Sequence, residues 1–335
     1  MLSLRIKLLP IIALCTRVFA KTLVVSTENR STYISEGIAL LDTASDIASK
    51  DLFNGPPNPY DLVTFQTLEC DFVEPDPSDP IGGTTPKFYC EFDFNGEKIE
   101  LKIKYDQQYN PALNWGRANP EVYTSVISQR LLWATGFGAD QSIPVTVKCN
   151  NCPIEPWTYI QAVQGYDSED VASGWMDMEL IRTGNWNNKL EQITFNSSIV
   201  YIKLNKYVDG DEIDYLDSDG VQESGFFWSE MYNYPTSNHS ESVARDALSV
   251  IAAFISYCDN FDGNQGFMCL NKGSNSISKT NAGTDDVCEG QPLLYIHDVG
   301  GKYFSKMSCS FIRCFLNFLV LFCFVYRDAG LWLES

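Results

Sequence analysis

Basic residues, histidines and long hydrophobic runs are scarce in this sequence. Its 335 residues include two histidines, and 24 lysines and arginines oppose 43 acids, which gives a formal net charge of -19. A charge of that sign repels nucleic acid and anionic membrane surfaces, so we expect neither as a partner. A membrane-spanning helix needs about 20 apolar residues, and the runs at 8–14 and 315–326 are both shorter. A basic partner, a divalent cation or simple solubility remains to explain the acidity.

Several motifs that identify an activity directly are also missing. There is no internal repeat and no glycine-rich phosphate loop, since Gly82 and Gly83 form only a turn-like pair. Cys149 and Cys152 make a single CxxC motif, and the two histidines are too few to complete a zinc site with it. We interpret this motif as a structural disulfide, with redox chemistry as the alternative.

The first 20 residues do carry a signal. Arg5 and Lys7 precede the short apolar run, and Ala20 provides a small residue at the end. This pattern is typical of a secretory leader cleaved after Ala20, and its loss would bring the charge to -22. We therefore expect a secreted protein. It would be glycosylated at the Asn-x-Ser/Thr motifs of Asn29, Asn196 and Asn238.

Cysteine usage agrees with an oxidising compartment. Of the eleven cysteines, seven lie between residues 21 and 301, where cysteines of a secreted protein are normally paired. The pairs closest in sequence are Cys70 with Cys90, Cys149 with Cys152, and Cys269 with Cys288, which leaves Cys258 over. These spacings predict three structural disulfides, although sequence alone does not fix the connectivity.

Local patterns divide the chain into five segments. After the leader (1–20), residues 21–86 are rich in loops, because Pro, Gly and Asp crowd 45–86. A region of strands and one helix follows at 87–160. It contains a hairpin of 87–93 and 98–105 around Asn95 and Gly96, a helix over 120–135 and a strand over 143–149.

The next segment, 161–301, has a weaker pattern. The acidic stretch 208–220 does not fit a calcium-binding loop and is interpreted as a solvated loop. A helix is clear over 242–257, and its apolar face consists of Val243, Ala247, Val250, Ile251 and Phe254.

A spaced set of polar residues could carry chemistry. Asp259 precedes Asn264 by five positions, as the catalytic aspartate precedes the metal-binding asparagine in protein kinases. Asp298 lies before a glycine later in the chain, as the second metal ligand does there. Upstream, Lys102 or Lys104 on a strand and Glu121 on the next helix could form the lysine–glutamate pair that binds phosphate. Both lysines share one strand face, so both stay candidates, with Lys104 preferred.

The chain also resembles a family of secreted bacterial and fungal proteins of uncharacterised activity, which is itself similar to atypical kinases of the Golgi and spore-coat type. The residues that carry the resemblance are 101–105, 121–140, 144–153, 246–269 and 297–300, and the block 132–140 is the most specific of them. Two departures bear on activity. Tyr257 and Cys258 stand where His and Arg are expected, and Phe261 replaces a lysine.

The order of these elements predicts an α+β, two-lobed protein-kinase-like fold. Its first lobe would hold the hairpin and helix, and its second would be mainly helical and truncated. We expect ATP with Mg²⁺ or Mn²⁺ as cofactors and an unidentified secreted acceptor. Asp259 would be the base, Asn264 and Asp298 the metal ligands, and Lys102, Lys104 and Glu121 the phosphate site. The rival interpretation is a non-catalytic secreted binding protein in which the same residues serve folding.

The last segment, 302–335, breaks with the rest in composition, because it is rich in Cys and Phe. Gly301, Lys302 and Tyr303 are what a common intron start would encode. We interpret the segment as a translated, retained intron. This predicts an incomplete C-terminal region, an apolar face of the 242–257 helix that stays partly wet, and poor secretion.

Overall fold

The computed structural model describes residues 22–42, 47–78, 80–83, 85–110, 115–117, 119–166, 176–255, 257, 264–270, 277–279, 286–297 and 299. The strands in these residues are β1 (Leu23–Val25), β2 (Gln66–Phe72), β3 (Lys87–Phe94), β4 (Glu97–Tyr105), β5 (Gln107–Asn110), β6 (Trp115–Arg117), β7 (Gln141–Asn150), β8 (Gln192–Ile202), β9 (Gly210–Leu216), β10 (Gln222–Ser224), β11 (Gln265–Leu270), β12 (Ile277–Lys279), β13 (Asp286–Cys288) and β14 (Gln291–Ile296).

The α-helices of the described chain are fewer and mostly short. They are α1 (Thr27–Glu36), α2 (Pro120–Ala134), α3 (Pro156–Val163), α4 (Met178–Thr183), α5 (Glu230–Asn233) and α6 (His239–Phe254). Only α2 and α6, with 15 and 16 residues, are longer than three turns.

The predicted hairpin is confirmed as β3 and β4. Lys87 lies opposite Lys104, and the register runs without a bulge to Phe94 opposite Glu97. Asn95 and Gly96 form the two-residue turn with φ values of 55° and 82°. Positive φ at both positions gives the turn whose twist matches that of the strands, and Asn-Gly tolerates it best.

This hairpin belongs to a closed barrel with the strand order β2-β3-β4-β8-β7. β7 closes it by pairing in parallel with β2, from Val145 opposite Gln66 to Asn150 opposite Asp71. The other pairs are antiparallel. Because the sheet closes on itself, these strands leave no free edge for another chain.

Alternate side chains of the barrel strands point inward, and most of these are buried. The interior includes Phe88, Ile103, Val147 and Val200, together with Trp157 from α3, and all are at most 1% exposed. Burial of this apolar set is the main stabilising contribution to the barrel. The opposite alternation points outward, and on β4 it includes Lys102 and Lys104.

A second, mixed sheet has the order β1-β9-β11-β14, with β10 paired to β9. β1 is parallel to β9, whereas β11 is antiparallel to both β9 and β14. Ile296 at the end of β14 bridges to Ala139, just before β7 begins. The sheet therefore meets the barrel where Asp140 leads into β7.

The helix predicted over 120–135 is confirmed as α2. Asn119 caps it, Pro120 occupies its first turn, and Val122 and Val126 pack on Ile199 of the outer barrel wall. The helix predicted over 242–257 is confirmed as α6. It buries Ala244, Leu248 and Ala252, and four of the five residues of the predicted apolar face are exposed instead: Val243, Ala247, Val250 and Phe254.

The three predicted disulfides are present, as Cys70–Cys90, Cys149–Cys152 and Cys269–Cys288. They indicate an oxidising environment for the folded chain. Cys149 and Cys152 are both fully buried, which favours a structural bond over redox exchange. Cys258 lies outside the described residues.

The predicted α+β, two-lobed protein-kinase-like fold is wrong. The described chain is mostly β, with a closed five-stranded barrel and a mixed sheet, and its six short helices do not form a helical second lobe. The hairpin and α2 were assigned correctly, but β8 and β9 lie where the sequence pattern is weak. Their pairings join distant segments, which local patterns do not report.

Two segments that the sequence predicts to be loops contain strands, so these predictions are wrong. The stretch 45–86 contains the barrel strand β2, and the acidic stretch 208–220 contains β9, a central strand of the second sheet. In β9, Asp211 and Ile213 point to buried positions while Glu212 and Asp214 are only partly covered. Pairing with β1 and β11 outweighs the low strand propensity of the acids.

The segment 302–335 lies outside the described residues. No helix within the described ranges is long and apolar enough to cross a bilayer.

Candidate functional site

The ion pair between Lys104 and Glu121 lies between the barrel wall and α2. Lys104 Nζ contacts Glu121 Oε1, and the two residues are only 1% and 6% exposed. Asn119 aligns the two elements, because its Nδ2 donates to the Tyr105 carbonyl at 3.1 Å and its Oδ1 accepts from Glu121 N at 3.2 Å. The cap therefore fixes Glu121 next to the strand that carries Lys104.

The second candidate lysine shares an aromatic neighbour with the first. Lys102 Nζ lies 4.7 Å and Lys104 Nζ 5.3 Å from the centre of the Tyr201 ring. Tyr201 stands opposite Lys102 in the pairing of β4 with β8. The ring face carries negative potential, so it stabilises two ammonium groups that would otherwise repel each other.

Tyr201 connects this cationic pair to a buried carboxylate. Its hydroxyl contacts Asp140 Oδ2 and lies 2.6 Å from the His297 carbonyl oxygen. Asp140 is 1% exposed, and its Oδ1 accepts from Leu204 N at 2.6 Å. His297 Nδ1 lies 2.8 Å from Asp140 Oδ2, close enough for an ion pair, although the ring N–H is not aimed for a hydrogen bond. Asp140 thus ties β7, β8 and the end of β14 together.

Asn264 reaches the same neighbourhood through its backbone. Its carbonyl oxygen accepts from His297 N at 3.0 Å and from the Tyr257 hydroxyl at 2.8 Å. Asp298 follows His297 directly in sequence, but Asp298 and Asp259 lie outside the described residues. The structure therefore brings together Lys102, Lys104, Glu121 and the backbone of Asn264.

Sequence reasoning missed the residues that connect this set. Asp140 ends the specific block 132–140 and His297 is one of two histidines, so both carried a weak signal. Nothing in the weakly patterned β8 segment singled out Tyr201. Its position follows only from the register of β8 between β4 and β7.

Burial controls the protonation of the phenols around Asp140. The pKa of Tyr207 is raised well above its ordinary value of 10.0, first by burial and then by the charge of Asp140. The pKa of Tyr295 is raised in the same way and from the same two causes. Both hydroxyls therefore stay protonated, and that of Tyr207 donates to the Ala139 carbonyl beside the carboxylate.

Two ammonium groups lie close to one tyrosine, and that of Lys104 is buried and paired with Glu121. No group of three or more His, Cys, Asp or Glu residues suited to a metal occurs in the described ranges. A divalent cation would have Asn264 as a ligand and would need Asp298 beside it.

A shallow cleft lies on the other side of Asp140. It contains about 270 Å³ of space, open solvent included, between the loop at Asn54 and the C-terminal half of α2. Gln129, Gln141 and Ser142 line it, and each has a buried side-chain atom without a hydrogen-bond partner. Because these atoms are themselves shielded from solvent, the cleft does not present them to a ligand.

Comparison with known protein families gives no matching family model, and no curated protein is significantly similar to the chain. The resemblance to secreted proteins related to atypical kinases therefore stays a prediction from the residues that carry it.

Proposed function

We propose that the chain is a secreted, cation-dependent phosphotransferase that moves phosphate from ATP to a secreted acceptor. The observation that supports this is the network from Glu121 through Lys104 and Tyr201 to Asp140 and His297. In this network Lys104 and Glu121, chosen from sequence for phosphate binding, connect to His297, which is more than 150 residues away in the chain and directly precedes Asp298 in sequence.

The proposal assigns each residue a role. Lys104, oriented by Glu121, and Lys102 would bind phosphate oxygens. Asn264 and Asp298 would hold Mg²⁺ or Mn²⁺, and Asp259 would accept the proton of the acceptor hydroxyl. The cation would neutralise phosphate charge, which matters because the chain carries a net charge of -19 and repels free ATP.

Secretion is part of the proposal. The predicted leader at 1–20 and the three disulfides support it together, because disulfides persist in compartments outside the cytosol. Expression with the native leader in a eukaryotic host tests it. We expect processed protein that begins at Lys21 in the medium, and retention in the cytosol would refute this part.

Labelled phosphate from ATP provides the test of activity. We expect incorporation in the presence of Mg²⁺ or Mn²⁺ that is lost in Lys104→Met and Asp298→Ala. Lys98→Met is a matched control, because Lys98 lies on the same strand and pairs with Glu91 at the exposed surface. Circular dichroism should show that all variants are folded. Equal activity of wild type and both site variants, or no incorporation by folded wild type, would refute the proposal.

One observation favours the rival function, a non-catalytic secreted binding protein. Lys104 is 1% exposed and already paired, as expected for a charge that serves folding. Titration calorimetry with ATP and Mn²⁺ separates the two functions. Phosphotransfer requires nucleotide binding that weakens in Lys102→Met, whereas the rival predicts no nucleotide binding at all.

A further inference from the structure

Four apolar side chains project into solvent from the loop that precedes the barrel. Leu52, Phe53, Val63 and Phe65, here called the aromatic tip, are 48%, 60%, 54% and 69% exposed. The two phenyl rings meet edge to face, with centroids 5.9 Å apart. Together they expose apolar surface on the order of 400 Å², a size at which patches on monomers often serve binding.

The aromatic tip is firmly attached to the scaffold. Arg130 of α2 donates to the Leu52 carbonyl at 3.2 Å and to Thr64 Oγ1 at 2.8 Å. Thr64 Oγ1 in turn donates to the Phe53 carbonyl at 2.9 Å. Phe65 N donates to the Pro144 carbonyl of β7 at 2.7 Å. These bonds hold both halves of the tip against α2 and the barrel, so the rings are presented in a fixed arrangement.

One residue of the tip is held in a strained conformation. Phe65 has a φ of 64°, in the left-handed region that bulky residues rarely adopt. Glycine or asparagine would fit this position without strain. A phenylalanine that is both strained and exposed stabilises neither the local backbone nor the core. Strain of this kind is concentrated at functional sites.

We propose that the aromatic tip is a docking surface for a protein partner, whose concave apolar pocket is rimmed by Lys and Arg. The four side chains offer apolar contact and no hydrogen bonds, which fits an apolar pocket. Asp51 and Asp61 are exposed beside them and outnumber the partly buried Arg130, so the patch has an apolar centre and a net acidic rim. The net charge of -19 disfavours an anionic lipid surface and favours a basic partner. The inference does not depend on phosphate transfer.

Site-specific crosslinking identifies the partner. Full-length protein with a benzophenone amino acid at Val63 is irradiated in extracellular fluid of its source, and the crosslinked protein is identified and produced. Capture alone does not establish the site. The Kd of the purified partner is therefore measured for wild type, for Phe53→Ser with Phe65→Gly, and for the control Val250→Ser with Phe254→Ser. The control residues are similarly exposed on α6.

The expected result is a loss of about 100-fold in affinity for the tip variant and a change of less than about twofold for the control. Affinity should fall as salt rises, and less steeply in Asp61→Asn. Phe65→Gly alone should weaken binding while Tm is unchanged or higher, because it removes the strained φ. A structural role for Phe65 predicts the opposite combination, a lower Tm with unchanged affinity.

Three results would overturn the proposal. The first is tip-dependent flotation of the protein with phosphatidylcholine vesicles, which would identify a lipid surface. The second is concentration-dependent dimerisation that the tip variant abolishes, which would identify a second copy. The third is the recovery of no protein whose affinity depends on Phe53 and Phe65.

Discussion

At the scale of single residues, the Lys104–Glu121 pair carries the largest predicted effect. Glu121→Leu removes the carboxylate that offsets the buried Lys104 ammonium, which costs about 3–5 kcal/mol of unfolding free energy. Replacing both residues, as in Lys104→Met with Glu121→Leu, should recover most of that loss because no charge remains buried. Urea denaturation at pH 7 measures the unfolding free energies of this double-mutant cycle. Additive losses would show that the two charges are not coupled.

Asp214 predicts a pH dependence. Its pKa is raised above the ordinary 3.8, mainly by burial, although a hydrogen bond from Gln222 opposes the shift. The folded state therefore keeps this proton to higher pH than the unfolded state does. Stability from this group is complete below pH 3.8 and is lost as pH rises through the folded pKa.

Asp214→Asn removes the titrating carboxyl group and therefore this loss of stability with rising pH. The unfolding free energy of the variant relative to wild type should therefore rise between pH 3.5 and 7. Exposed Glu191→Gln serves as the control. A constant difference across that range would contradict the assigned shift.

Single-residue roles were only partly accessible from sequence. Strand alternation placed Lys102 and Lys104 on one face but could not choose between them, because the choice depends on where α2 crosses the barrel. The cap at Asn119 determines that crossing. Asp140 looked like an ordinary residue before a strand, since its partners come from β8 and β14.

At the scale of elements, β11 and β14 pair closely because one of them carries a glycine. Gly266 stands opposite Tyr295, and a Cβ at Gly266 would lie 1.9 Å from the tyrosine ring. The ring covers the space that a side chain would occupy. Gly266→Ala should therefore lower the unfolding free energy by about 1–3 kcal/mol, or more. Thermal denaturation tests this, and Gly82→Ala, which meets nothing within 4 Å, should be neutral.

The elements that sequence predicted well are those whose signals are local. The Asn95–Gly96 turn fixed the hairpin, and Pro120 and Gly136 bounded α2. α6 was also predicted from the sequence, but the face that it buries was predicted wrongly. Its buried side includes Arg245, whose guanidinium donates to the Ile34 and Gly37 carbonyls, and periodicity of apolar residues cannot report such contacts.

At the scale of the whole molecule, the three disulfides should be complete in the folded protein. Peptide mapping without reduction should recover Cys70 linked to Cys90, Cys149 to Cys152, and Cys269 to Cys288. Cys70→Ser with Cys90→Ser should cost about 3 kcal/mol, because the bond closes a loop of about 20 residues. Alkylation of Cys149 or Cys152 in native protein would contradict the structural role of that pair.

The overall architecture could not be derived from the sequence. A hairpin, a helix and a strand in that order fit many folds, and the order of catalytic-type residues suggested the wrong one. The decisive contact is the parallel pairing of β2 with β7, which joins residues about 80 positions apart. No turn or periodic pattern in the sequence encodes such a pairing. It appears only in the folded structure, where Leu68 lies opposite Val147 and both are buried.

That same closure has a consequence for biosynthesis. β2 emerges from the ribosome early, but both β7 and β8 must follow before the barrel can close at Ile202, about 130 residues after Phe72. At about 5–20 residues per second, this interval lasts roughly 6–26 s. During that time β2 and the β3–β4 hairpin would expose their apolar faces to solvent. A nascent chain of this kind depends on chaperones until its last barrel strand is made, and a ribosome that stalled before residue 202 would release an aggregation-prone fragment.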